Sequence, residues 1–289
     1  MRYPGAGAVR AGAPGERFDR PDDQDTAVRL LIDDALATAP YGVPLKAGWI
    51  DAPPGGVIAE ARPGLTADVI GQEDIALVPV GELPVLQATH RVAPDAAIVF
   101  GETGTVALRC PVRPDEIERT PVRLWETSSF GLTLARAAIQ PFYGIQPVAW
   151  SAHDDPAAQV VVVEGAEALR PPEAGFAEDL CRAWFILTGR PAVGYVLVVP
   201  RSAERGDVAP ALETLTALRE VGDDRRRDLR RILAEQAAGP MDRLQALFAL
   251  MGLALEPSDR PSLLMLLQRG HGGGAAPYVR TLDFLESEA

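Results

Sequence analysis

Two short segments combine residue types and spacings suited to chemistry. Thr127-Ser128-Ser129 lies between a run that reads as a strand, Pro121 to Trp125, and one that reads as a helix, Phe130 to Phe142. Hydroxyls and free backbone N–H groups at a helix N-terminus, backed by the helix dipole, can hold an anion. The same hydroxyls can also cap the helix itself. Asp33-Asp34 follows the first strand at its C-terminal end, where α/β folds gather their ligands. A carboxylate there could act as a general base or orient a substrate hydroxyl. Neighbouring residues of extended chain point to opposite faces, so at most one of the pair is expected in a cleft. A carboxylate in that place also repels a carboxylate ligand unless it is paired or protonated.

Other motifs read as structure. His153 sits with Asp154 and Asp155 ahead of Pro156, the pattern of a polar turn, and His90 carries no partner signal. Gly81-Glu82 reads as a turn at a strand end. His271-Gly272-Gly273-Gly274 mimics the oxyanion loop of some esterases, but no G-x-S-x-G nucleophile elbow accompanies it, so it reads as a helix connection. Gly5-Ala6-Gly7 follows no strand and is no dinucleotide fingerprint. Asp223 to Arg231 reads as a solvated helix face, with Asp223–Arg227, Asp224–Arg227 and Asp228–Arg231 spaced as ion pairs. Cys110 and Cys181 have neither zinc nor disulfide spacing and read as small core residues.

Composition limits the chemistry further. The chain of 289 residues carries 28 Lys+Arg against 40 Asp+Glu, a formal net charge of −12. That balance disfavours binding to a nucleic-acid backbone. No apolar run approaches the ~18 residues of a membrane span. Residues 1–25 are rich in Gly, Pro, Asp and Arg, with no apolar core of a secretory signal. They read as a disordered tail, and a reducing cytoplasm is the expected setting. Lys46 is the only lysine, and asparagine is absent. Hydroxyls, carboxylates, arginines and backbone donors must therefore do most of the chemistry; no metal site is read.

The elements that must position these groups alternate. Strands read at Ala27–Ile32, Gly55–Ala61, Asp74–Val80, Ala96–Phe100, Thr105–Cys110, Pro121–Trp125, Gln159–Val163 and Ala192–Val199. Thr66 and Pro114 open short helical stretches. Helices read at 130–142, 176–187, 209–236, 240–254, 259–269 and 275–287. Alternation up to residue 199 predicts an α/β fold with mixed, mostly parallel sheets and a helical C-terminal region. The block 104–192 has strand–helix–strand units of its own. It reads as a second lobe inserted into a first made of 26–103 and 193–289, with a ligand cleft between them. A cleft filled by Phe130 and Trp125 would leave no room for a ligand.

In order along residues 27–200, several segments resemble a known family. They are Asp74-Ile75-Ala76-Leu77-Val78-Pro79, Val106 to Ile117, Tyr143-Gly144-Ile145-Gln146-Pro147, and Trp184 to Gly194 with its Leu-Thr-Gly-x-Pro core. They are similar to the chorismate dehydratases and dihydroxynaphthoate synthases of the futalosine route to menaquinone. The resemblance implies the two-lobed fold of type II periplasmic binding proteins and a cleft for a small, chorismate-like carboxylate. It implies a lyase without metal or organic cofactor. It also puts Thr38, Thr127, Ser128 and Ser129 at the substrate; Asp33 and Asp34 are candidate catalytic groups by their place at the strand end, not by the resemblance.

The chain departs from that family at its chemical positions. Ala37 stands where the family has a substrate-facing Asn, and a chain without asparagine cannot supply one. Ser128-Ser129-Phe130-Gly131 keeps only the first Ser of the family's S-R-T-S turn, and Ala166 replaces an Asp. The family's histidine base has no counterpart. Two expectations follow: a dehydratase-like lyase, or a ligand-binding protein that kept the cleft and lost the chemistry.

Overall fold

The computed structural model describes residues 28–153, 155–237, 240–272 and 277–286. The tail expected over residues 1–25 lies outside them. In chain order the strands are β1 (Arg29–Asp33), β2 (Ile58–Arg62), β3 (Ile75–Pro79), β4 (His90–Phe100), β5 (Val106–Cys110), β6 (Arg119–Trp125), β7 (Gln146–Ser151), β8 (Val160–Glu164), β9 (Phe176–Asp179), β10 (Ala192–Pro200) and β11 (Met251–Gly252). The helices are α1 (Ala39–Lys46), α2 (Leu83–Leu86), α3 (Ser129–Ala138), α4 (Ala166–Leu169), α5 (Leu180–Thr188), α6 (Arg205–Asp224), α7 (Arg226–Ala237), α8 (Met241–Leu250) and α9 (Arg260–Arg269). No helix among the described residues is long and apolar enough to cross a membrane.

Two mixed sheets carry the fold. The first has the order β11-β4-β10-β3-β1-β2, the second β7-β6-β8-β5-β9. Parallel pairing joins β1 to β2 and β3, and β6 to β7 and β8; the other pairs are antiparallel. The chain crosses from the first sheet to the second between Phe100 and Val106, and returns between Thr188 and Ala192. β3 and β10 are buried at every residue, which explains their unbroken apolar runs without alternation.

α3 links the two halves. Phe130, Leu134 and Ala138 line its buried face, and the helix packs against α5, α9 and the Val80–Glu82 turn after β3. That approach depends on Gly81, where a Cβ would run into the Ser129 carbonyl oxygen. Asp179 caps α5 through the N–H groups of Cys181 (2.8 Å) and Arg182 (3.2 Å). It also accepts the Gly104 N–H (2.9 Å), tying the outgoing crossing to the second sheet.

Several elements differ from expectation. Residues 176–187 are not one helix: β9 pairs with β5, and α5 starts only after its Asp179 cap. The long helix of 209–236 breaks at Arg225 into α6 and α7. The break re-pairs its charges, so Asp223 meets Arg226 (3.1 Å) rather than Arg227. Asp228 meets both Arg225 (3.2 Å) and Arg231 (3.4 Å). Thr66 opens a turn rather than a helix. Residues 277–286 are not helical; Leu285 donates to the Val92 carbonyl (2.8 Å) and Phe284 bridges the same residue in parallel. α1 holds Gly42 and Pro44, and β7 is a half-exposed edge strand, so neither carries a clear sequence signal.

Candidate ligand cleft

A cleft of 630 Å³ opens between the two sheets. The end of β1, the turn before α1 and Tyr195 of β10 line it from the first sheet. Thr105, the Glu126–Ser128 loop and the end of β8 line it from the second, and Leu233 and Gln236 of α7 close one side. Phe130 and Trp125 are not among the lining residues. Phe130 lies fully buried, stacked on Phe100 (5.6 Å between ring centroids) and tilted against Tyr195 (6.0 Å). Trp125 points outward and is 43% exposed.

Asp33, Asp34, Thr127 and Ser128 line the cleft; Thr38 and Ser129 do not. Thr38 is fully buried. Its hydroxyl faces the carbonyls of Asp33 and Ala35 and accepts the Ala35 N–H (3.1 Å). It therefore locks the turn that leads from β1 into α1: its proton is committed to that turn, and the residue is buried away from the cleft. Ser129 is the first residue of α3, about 100° around the helix from its cap, and it packs against Gly81 on the far side.

Both aspartates border the cleft, against the expectation of one. The alternation rule ends with the strand: Asp33 is the last residue of β1, and Asp34 already lies past it, ahead of the bend at Ala35 and Leu36. Asp33 is buried and accepts the Leu65 N–H (2.8 Å). Burial pushes its pKa up to about 6, helped by Asp34 and Glu82 and opposed by the N–H groups of Leu65 and Gly64. Asp34 is bound to Lys46 at 2.6 Å, which commits the chain's one lysine.

Ser128 caps α3, accepting the N–H groups of Phe130 (3.2 Å) and Gly131 (3.4 Å). The anion at this helix terminus is the protein's own. The Glu164 carboxylate accepts the Ser128 N–H (2.7 Å) and the Ser128 hydroxyl (2.9 Å). It also accepts the Tyr195 hydroxyl at 3.3 Å, so one carboxylate joins β8 of the second sheet to β10 of the first. Gly131 makes room for it, because a Cβ there would lie 2.5 Å from Glu164 Oε2.

Burial raises the Glu164 pKa to about 7, against the pull of the Ser128 and Tyr195 donors and with the push of Asp33. The Tyr195 hydroxyl is driven far above its ordinary value by burial and by Glu164. The motif reading passed over Glu164 for Ala166, two residues later. A signal was present: a carboxylate ending the apolar run Val160–Val163 on a buried strand has to be buried with it.

Thr127 lines the cleft, but its hydroxyl is taken by the carbonyls of Trp125 and Val162, each at 3.1 Å. Thr105, unnoticed in the sequence, is 1% exposed and borders the cleft. Its hydroxyl has no hydrogen-bond partner among the described residues. His153 is exposed in its turn, and His271 meets Tyr278 edge-on at 5.3 Å; neither borders the cleft. The rest of the glycine motif, Gly273-Gly274, lies outside the described residues. Cys110 and Cys181 are buried and free, and burial raises both thiols.

Solved structures share this architecture. Protein AF1704 from Archaeoglobus fulgidus superposes with a TM-score of 0.63 at 10% identity, over 86% of this chain and 98% of its own. The periplasmic aliphatic sulphonate binding protein SsuA from Escherichia coli gives 0.59 at 12% identity, over 91% and 94%. The alkanesulfonate-binding protein SsuA from Xanthomonas axonopodis, bound to MOPS, gives 0.56 at 13% identity, over 82% and 90%.

The fold is that of the periplasmic binding proteins. No family model and no curated protein matches the sequence. Within this periplasmic-binding-protein fold, the cleft of Asp33, Thr105, Ser128, Glu164 and Tyr195 lies between the sheets, at strand ends and a helix N-terminus.

Proposed function

We propose that this chain binds a small organic solute in the cleft between its two sheets. The observation that carries the reading is the 630 Å³ cleft itself, bordered by buried carboxyls from facing sheets, Asp33 and Glu164. Its volume falls in the usual range of small-molecule sites, roughly 300–1,000 Å³. Buried ionisable groups beside an open cleft are costly to stability, and a ligand that meets them is a reason to keep them. Fold likeness alone names no ligand.

A second reading is a cofactor-free lyase acting on a chorismate-like carboxylate, and one observation favours it. Glu164, with a pKa of about 7 and Tyr195 on its carboxylate, is tuned as a general acid–base group should be. Against it, no arginine among the described residues lines the cleft, and Lys46 is bound to Asp34. A substrate carboxylate would face Asp33 and Glu164 without a free cation to hold it.

A thermal-shift screen of small solutes on the whole chain tests the first reading. A ligand at a hundred times its Kd should add about 2.7 kcal/mol to stability and raise the melting temperature by several degrees. Solutes that raise it in the wild-type protein but not in a variant with the cleft blocked, Ala37→Trp, support binding there. A screen without such hits contradicts the reading. Incubation with chorismate, followed by chromatography, tests the second: an aromatic product supports it, and unchanged chorismate over folded protein removes it.

A further inference from the structure

We propose that the solute is a cation: a compact organic ammonium whose nitrogen sits where Asp33, Glu164 and Thr105 border the cleft. This deepens the solute-binding reading and rests on it. The charge lining the cleft is the first support. Asp33, Asp34, Glu126 and Glu164 border it, with Lys46 as the one cationic side chain among the described residues. The Lys46–Asp34 pair at 2.6 Å cancels internally, which leaves the acids uncompensated.

The helix N-terminus gives the second support. In a cleft built for an anion, the α3 donors would point at the ligand. Here Ser128 gives its N–H and hydroxyl to Glu164, so the anion's place is already filled from within. The cleft is then bordered by a carboxylate rather than by free donors. A ligand carboxylate is repelled by it, whereas an ammonium forms a charge-assisted hydrogen bond and relieves the repulsion between Glu164 and Asp33.

The third support is independent of charge. Thr105 is 1% exposed and borders the cleft, and its buried hydroxyl has no partner among the described residues. A buried hydroxyl without a partner costs free energy, and a ligand N–H supplies the missing bond. Thr105 also sits on the segment that crosses between the sheets, and its carbonyl accepts the Gly165 N–H (2.8 Å), which fixes it beside Glu164. Leu36, Ala37, Val43 and Leu233 offer an apolar wall for the carbon body of the same ligand.

Calorimetry on the whole chain, with amines, alcohols and carboxylates built on the same set of carbon skeletons, tests the proposal. Binding should be confined to amines or favour them by about tenfold or more over the matching alcohols. Glu164→Gln and Asp33→Asn should each weaken the best amine by about tenfold or more, and Thr105→Val by several-fold. Circular dichroism checks that each variant is folded, and any one folded variant suffices.

Carboxylates binding better than amines would overturn the cation assignment and leave the solute-binding reading standing. Amines that bind every folded variant as well as the wild type would also overturn the assignment. No binding in any of the three classes would overturn both.

Discussion

Glu164→Gln becomes more stable relative to the wild type as pH rises, by up to about 3 kcal/mol between pH 4 and pH 8. The native pKa of about 7 lies above the ordinary 4.5, so the folded protein binds this proton more tightly than the unfolded chain does. The stabilising contribution is therefore complete below about pH 4.5, where both states are protonated. It is lost as pH rises through about 7, because the folded state must then ionise a buried carboxyl. Glutamine never ionises and escapes that loss.

Urea unfolding of both proteins across this range reads the effect as a gap that widens with pH. Parallel profiles would mean that Glu164 titrates as an ordinary exposed acid. Asp33, raised to about 6, adds a loss of the same sign between about pH 4 and 6, which Asp33→Asn removes.

The second large effect belongs to Phe130→Ala, with an expected cost of about 3–5 kcal/mol and a fall in melting temperature of roughly 10 °C. Phe130 is fully buried, stacked on Phe100 and packed on Tyr195, on the helix that joins both halves. Removing the ring empties the space beside the ring of Tyr195, whose hydroxyl reaches Glu164, so the cleft loses definition together with the core. Phe130→Leu fills part of that space and should cost less than half as much. Equal melting temperatures for the wild type and Phe130→Ala would contradict the placement of this side chain.

How much of this was legible in the sequence depended on the kind of signal. α3 was, because Phe130, Leu134 and Ala138 keep one face and a serine precedes it. The buried strands β3, β8 and β10 were, because runs such as Val160–Val163 have no competing reading. α1 was not: Gly42 and Pro44 argue against a helix, and its packing on α6 and α7 overrides that propensity. β9 was hidden because its four residues, Phe176 to Asp179, run straight into α5 and mix apolar and acidic side chains, although Asp179 carried the signal of a cap.

At the site, Asp33, Asp34 and Ser128 were recognised from their places at a strand end and a helix start. What they do there was set by tertiary contacts. Ser128 serves Glu164, 36 residues away, and Glu164 reaches Tyr195, 31 residues further on. No local pattern announces a bond of that range. The hydroxyl of Thr38 was assigned to a ligand because position was legible and the turn that consumes it was not.

Carbon NMR of the Glu164 carboxyl, titrated with pH in the free protein and with the best-binding amine present, tests the central claim most directly. The cleft described here predicts a pKa of about 7 in the free protein and a lower value once an ammonium occupies the cleft. A free-protein value in the ordinary range near 4.5, or one that the bound amine leaves unmoved, would contradict it.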